Sequence, residues 1–112
     1  MTKLEVLKIR GLVKVTGSGL GNFTNLKELC CIECYNLEDE FLIKQLRCSC
    51  ILELLLIDNC RKITTAVLNI AIEETKKRKN NIVLEMHSGN TSINVDEIGE
   101  KLPSLLYFFN SL

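Results

Sequence analysis

The chain has no tryptophan, one proline, one histidine and only 5% aromatic residues. So few rings argue against a stacking platform for bases or sugars. Net charge is also lacking: 14 Lys+Arg balance 14 Asp+Glu. A nucleic-acid binder needs a basic surplus to neutralise phosphates, and a membrane-surface binder needs a polybasic cluster. Neither partner is expected. No uninterrupted apolar run approaches the roughly 20 residues of a membrane helix. The opening Met1–Thr2–Lys3–Leu4 shows no apolar signal region. What is present is 46% hydrophobic residues in 112 positions. That composition suits one packed domain of modest core.

Six cysteines crowd between residues 30 and 60. An even count in a short chain suggests a disulfide framework. Such frameworks replace a missing apolar core, whereas this chain is rich in Leu and Ile. Free, mostly buried thiols in a reducing compartment are therefore expected.

The dominant signal is an internal repeat. The pattern Leu-x-x-Leu-x-Leu-x-x-Cys/Asn-x-x-Ile/Leu fits Leu4, Leu7, Ile9, Leu12 and Val15. It fits again at Leu26, Leu29, Cys31, Cys34 and Leu37, and best at Leu52, Leu55, Ile57, Cys60 and Ile63. Leu84 and Met86 give a looser fourth copy, with Gly89 at the Cys position, and Leu105, Phe108 and Asn110 open a fifth. The second apolar position falls at Leu7, Leu29, Leu55, Leu84 and Phe108, with spacings of 22, 26, 29 and 24. Leucine-rich repeats span about 20–29 residues.

The alternation makes a short strand with one inward face. The cysteine turns inward at the strand exit and offers its S–H to nearby carbonyls. Helical returns are expected over Glu40–Leu46 and after Ile63. In the latter, Thr64 or Thr65 is the N-cap and Ala66, Val67, Ile70 and Ala71 form the apolar stripe. The Gly-rich Val15–Phe23 return reads as loop, and Asn94–Leu102 as a short helix ended by Pro103.

The run Cys60–Arg61–Lys62–Ile63–Thr64 resembles the cysteine-containing leucine-rich repeat, whose pattern ends Cys-x-x-Ile-Thr-Asp. Leu37–Glu38–Asp39 is a looser version of the same ending, and Leu102–Pro103–Ser104–Leu105 is similar to the Cys-Pro-x-Leu lead-in of the family. The chain as a whole resembles the repeat domain of F-box/leucine-rich repeat proteins. That resemblance implies an α/β solenoid over residues 1–112, a short arc of about four repeats plus the start of a fifth. Parallel strands would line the concave face, and helices or loops the convex face. It also implies a role as substrate-recognition part of a cullin-type ubiquitin ligase. The F-box, which would bind the ligase adaptor, has no counterpart here, so a ligase role needs an upstream segment or a partner. The chain enters and leaves at a strand without an obvious cap and reads as a fragment of a longer solenoid. The expected location is the cytoplasm, with the nucleus as alternative; the run Lys76–Lys77–Arg78–Lys79 could serve nuclear localisation but reads first as a solvated helix end.

Cys31–Ile32–Glu33–Cys34 is a C-x-x-C. A redox pair should open a helix, but the repeat places Cys31 in a strand. A zinc site needs two more ligands, and Cys48–Ser49–Cys50 is too tight for the usual spacing. Gly17–Ser18–Gly19–Leu20–Gly21 lacks the Lys-Ser/Thr of a phosphate loop. His87, with Glu85 two residues before it, has no nucleophile to serve. No catalytic residue, metal or cofactor is expected, and the protein is read as a non-enzyme. Alternative readings are a zinc- or redox-active thiol protein using Cys31, Cys34, Cys48 and Cys50, and a structural scaffold or assembly factor.

The binding candidates follow from strand parity. Outward-facing rows are expected to be Val6, Glu28, Leu54, Val83; then Lys8, Cys30, Leu56, Glu85; then Arg10, Ile32, Asp58, His87. The centre is apolar and the rim charged, the composition of a protein-binding site. The expected partner is a protein on that face.

Overall fold

The computed structural model describes residues 3–21 and 23–111, with Ser111 described by its backbone alone. The strands are β1 (Val6–Arg10), β2 (Glu28–Ile32), β3 (Leu54–Asp58), β4 (Leu84–Gly89) and β5 (Leu106–Ser111). They form one all-parallel sheet in chain order, β1-β2-β3-β4-β5. Helix α1 (Asp39–Cys48) follows β2, and α2 (Thr65–Lys77) follows β3. The expected α/β class and the five strands are present.

Parallel strands need a crossover between them, and this chain uses three kinds. The two central crossovers are helical. In α1, acidic Asp39 and Glu40 open the helix and Arg47 closes it, matching the dipole. Its buried residues are Phe41, Leu42, Gln45 and Leu46. In α2, Thr64 is the N-cap and accepts from the Ala66 amide at 3.3 Å. The buried stripe is Thr65, Leu68, Ala71, Ile72 and Thr75, with Val67 beside it. The stripe expected through Ala66 and Ile70 is rotated: Ala66 is exposed and Ile70 half-buried. Capping by Thr64 fixes the helix phase, and Leu68 and Ile72 are then the larger groups at the core. The Lys76–Lys79 run is indeed a helix end, where Lys77 pairs with Glu74 at 3.3 Å and Lys76 with Glu100.

The first crossover is the Gly-rich loop. Gly17 sits at φ 103°, and a Cβ there would lie 2.5 Å from Phe41 Cβ. Only glycine lets this loop lie against α1. Gln45 holds it from the other side: its Nε2 donates to Gly21 O (3.1 Å) and its Oε1 accepts from the Phe23 amide (3.2 Å). The fourth crossover is not the short helix expected. It holds one 3₁₀ turn, Val95–Glu97, none of whose residues is buried. Without an apolar stripe, a longer helix has nothing to pack.

After each of the first four strands the chain turns through a left-handed residue: Gly11 (φ 71°), Glu33 (55°), Asn59 (56°) and Asn90 (52°). The amides of Gly11, Glu33 and Asn59 then donate to Ile32, Asp58 and Gly89 carbonyls at 2.8–2.9 Å. The sheet ladder is thus carried one residue beyond the strands. Next in line come Cys34 and Cys60, both buried. Cys60 Sγ reaches the Cys31 carbonyl at 3.4 Å and Asp58 O at 3.5 Å; Cys34 Sγ reaches Ile32 O at 3.5 Å and Ile9 O at 3.9 Å.

The fourth unit departs from the sequence alignment. Leu55 pairs with Met86 and Asp58 with Gly89, so Thr91, not Gly89, follows the left-handed residue as Cys60 does. The second inward positions are Leu7, Leu29, Leu55, Met86 and Phe108. Leu84 had looked like the match for Leu55 because it is apolar, but it lies one pair earlier. The true match for Ile57 is Ser88, a polar inward residue that breaks the pattern. Ser88 Oγ is satisfied by Thr91 Oγ1 at 2.6 Å.

The core lies between the sheet and the helices. Leu29, Cys31, Leu55, Ile57 and Met86 from the strands meet Leu42, Leu46, Val67 and Leu68 from the helices, all buried. No helix among the described residues is long and apolar enough to cross a membrane.

Candidate functional site

The side of the sheet away from the helices carries the outward-facing residues. Strand pairing sorts them into three rows. The lower row is Val6, Glu28, Leu54, Glu85, Tyr107; the middle row is Lys8, Cys30, Leu56, His87, Phe109; the upper row is Arg10, Ile32, Asp58 and Gly89, with the Ser111 backbone in register beside Gly89. For β1, β2 and β3 the rows match those expected. For β4 they are shifted by two residues. Glu85 stands beside Leu54 rather than Leu56, and His87 beside Leu56 rather than Asp58. Val83 precedes β4 and lies below the lower row. The cause is the misalignment of Leu84 described above.

The centre of this face is apolar. Cys30 is buried, while Ile32, Leu54 and Leu56 are half-buried. Burial among these neighbours raises the Cys30 thiol pKa. The apolar area continues into β5, where Tyr107 is 52% and Phe109 46% exposed. His87 joins the two zones by stacking on Phe109, with ring centroids 4.6 Å apart and planes 16° apart. Tyr107 and Phe109 were absent from the sequence-derived rows, which stopped at the fourth strand. Extending the parity of Leu106–Tyr107–Phe108–Phe109 by one strand finds them.

Charge is distributed unevenly over the face. Lys8 and Arg10 stand on β1, and Arg10 Nε pairs with Glu33 at 3.3 Å. From β2 to β4 the charged residues are Glu28, Asp58 and Glu85, with Glu53 just below Leu54. Glu85 lies 3.6 Å from His87 Nε2. Among the described residues, Glu28, Glu53 and Asp58 have no ion pair. Two shallow depressions interrupt the surface. One of about 250 Å³ is lined by Glu28, Glu53, Leu54, Val83 and Glu85. The other, about 200 Å³, lies over Leu56, Asp58, His87 and Gly89, where glycine leaves a gap in the upper row.

The cysteines lie mostly inside. All six are free; Cys31, Cys34 and Cys60 are buried, Cys48 is half-buried and Cys50 exposed. Burial raises the Cys31 thiol pKa strongly and pushes that of Cys60 up to about 11. A reactive thiol needs the opposite shift, so Cys31 has the chemistry of a packing group, and Cys34 is buried beside it. Cys48 and Cys50 lie, as expected, where α1 turns back toward β3. Among the described residues, no three His, Cys, Asp or Glu side chains converge to hold a metal ion. Comparison with family models, with curated proteins and with solved structures found no match for this chain.

Proposed function

We propose that this protein recognises another protein with the open face of its sheet, and that the sheet is a short arc of a leucine-rich repeat solenoid. The observation that carries the recognition reading is the apolar centre around Leu54 and Leu56, which no element among the described residues covers and which runs on into the exposed rings of Tyr107 and Phe109. Apolar cores with charged rims are the composition of protein interfaces, and such a patch is otherwise a liability.

Three observations support the solenoid reading. The parallel strands follow chain order. Each of the first four exits through a left-handed residue. Cys34 and Cys60 each reach a carbonyl of the preceding strand. Asp39 adds a fourth: standing at the Asp of the Cys-x-x-Ile-Thr-Asp pattern, it accepts from the Thr64 amide at 2.8 Å and from Thr64 Oγ1. Each unit is thereby tied to the next, the nearest-neighbour logic of repeat proteins.

On this reading the protein does no chemistry of its own. The similarity of its repeats to those of F-box/leucine-rich repeat proteins supports a substrate-recognition role in a cullin-type ubiquitin ligase. Its six free thiols suit a reducing compartment, the cytoplasm or nucleus.

The test is affinity capture with the wild type, with Leu54→Ser/Leu56→Ser, and with Glu73→Ser on the exposed side of α2. A partner held by the wild type and the Glu73 variant and lost with the double variant is the expected result. A partner retained by the double variant contradicts the reading. The ligase role predicts that depleting this protein lengthens the captured partner's half-life; an unchanged half-life removes that role.

A further inference from the structure

We infer that the open face binds an extended segment of its partner in which an apolar residue is flanked by lysine or arginine. This inference rests on the recognition reading above and specifies the partner's chemistry. Its first ground is charge. Glu28, Leu54 and Glu85 are consecutive in the lower row, each on its own strand, and Glu53 borders the same depression. An apolar side chain is therefore bracketed by carboxylates on both sides. Glu28 and Glu53 have no ion pair among the described residues. The basic groups of the face are confined to β1, where Arg10 is already held by Glu33. A chain of zero net charge thus concentrates unneutralised negative charge around its apolar centre.

The second ground is the shape of what could neutralise it. The acidic groups span three strands, and no three of the described acidic, His or Cys side chains converge on one point. A bare cation would find no cage there. Cationic side chains spaced along a peptide would, because each meets its own carboxylate. The depression of about 250 Å³ beside Leu54 has room for a lysine or arginine stem and head. The rings of Tyr107 and Phe109, exposed at the next strand, offer faces on which a guanidinium or ammonium can rest.

The third ground is size. Five strands about 4.8 Å apart, each about five residues of 3.3 Å, give a face of roughly 400 Å². A stable complex of two folded surfaces needs about 800 Å² on each partner. A second copy of these five strands, laid flat on the face, falls short of that. An extended segment of about seven residues crosses all five strands at 3.3 Å per residue and makes full use of the area.

The experiment selects random linear heptapeptides displayed on phage against the full chain. Labelled winners are then titrated by fluorescence polarisation at low and high salt. The expected winners carry Lys or Arg on both sides of an apolar residue, and their affinity falls with salt. Glu28→Gln/Glu53→Gln/Glu85→Gln should weaken them at least tenfold, and Leu54→Ser/Leu56→Ser should abolish binding without adding charge. Far-ultraviolet circular dichroism and the unfolding midpoint confirm that both variants fold. Winners lost with the serine pair but indifferent to the glutamine triple, or of acidic or neutral consensus, overturn the basic-segment inference and leave the face as the recognition surface. Winners that bind the serine pair as well as the wild type overturn both. A selection with no enrichment overturns the linear-segment inference and leaves the capture experiment to decide the face.

Discussion

On the covered side of the sheet, Leu29, Leu55, Ile57 and Met86 are fully buried; on the other side of the same strands, Ile32, Leu54 and Leu56 stay half-exposed. The two faces have similar apolar character at their centres and opposite fates. Helices α1 and α2 close over the first, and nothing in the described residues closes over the second. Burial on the covered face is worth about 25 cal/mol per Å² and accounts for why the chain folds. The open-face leucines gain only part of that, so stability alone does not explain them. Recognition does.

The comparison can be broken most sharply by adjacent substitutions on β3. Leu55→Ala should cost about 2–5 kcal/mol, the range for a large buried residue cut to alanine. Leu56→Ala, one residue along and facing out, should cost about 1 kcal/mol or less. Urea unfolding at constant m-value reads both; equal losses would mean the open face is part of the core.

A second contrast separates the loop crossover from the helical ones. Gln45 is fully buried, and its side-chain amide bridges α1 to Gly21 O and Phe23 N. Gln45→Ala strands both backbone groups, at about 2 kcal/mol. Hydrogen exchange should quicken at Phe23 while α2 keeps its protection; uniform quickening would deny the loop its separate anchor.

The thiols of the covered face give a pH signature. Burial raises the Cys60 pKa from 9.0 to about 11, so the folded state holds this proton more tightly than the unfolded chain. Its stabilising effect is complete below pH 9 and is lost as pH rises toward 11. Unfolding midpoints should therefore fall across that window, and less steeply for Cys60→Ala. Identical slopes would place the thiol in contact with water.

The smallest effect concerns the strand exits. Glu33 occupies a left-handed conformation (φ 55°) where the neighbouring units use Gly11, Asn59 and Asn90. Asparagine tolerates that conformation better than glutamate. Glu33→Asn should gain about 0.5 kcal/mol, since the exposed pair with Arg10 that it gives up is worth little. A loss in melting temperature would show that the ion pair outweighs the backbone.

The sequence made β1, β2 and β3 legible because their inward positions are apolar at period two, and β5 because Phe108 falls at the repeat position. It misplaced β4 because Ser88 points inward and Leu84 adds an apolar residue one pair early. That single polar position moved Glu85 and His87 by one row. The stripe of α2 was misread because several apolar residues, Ala66 and Ile70 among them, can be threaded onto more than one helix face. The N-cap, not the composition, selects among them. Likewise the left-handed exits could be suspected at Gly11, Asn59 and Asn90, and not at Glu33. The aromatic end of the open face needed no new signal, only one more strand of the same alternation.

The separation of folding from recognition is tested most directly by Leu54→Ser/Leu56→Ser, measured for stability and partner capture on one preparation. An unfolding midpoint near that of the wild type together with loss of the captured partner is the predicted result. Loss of stability in proportion to loss of the partner, or capture unchanged, would contradict it.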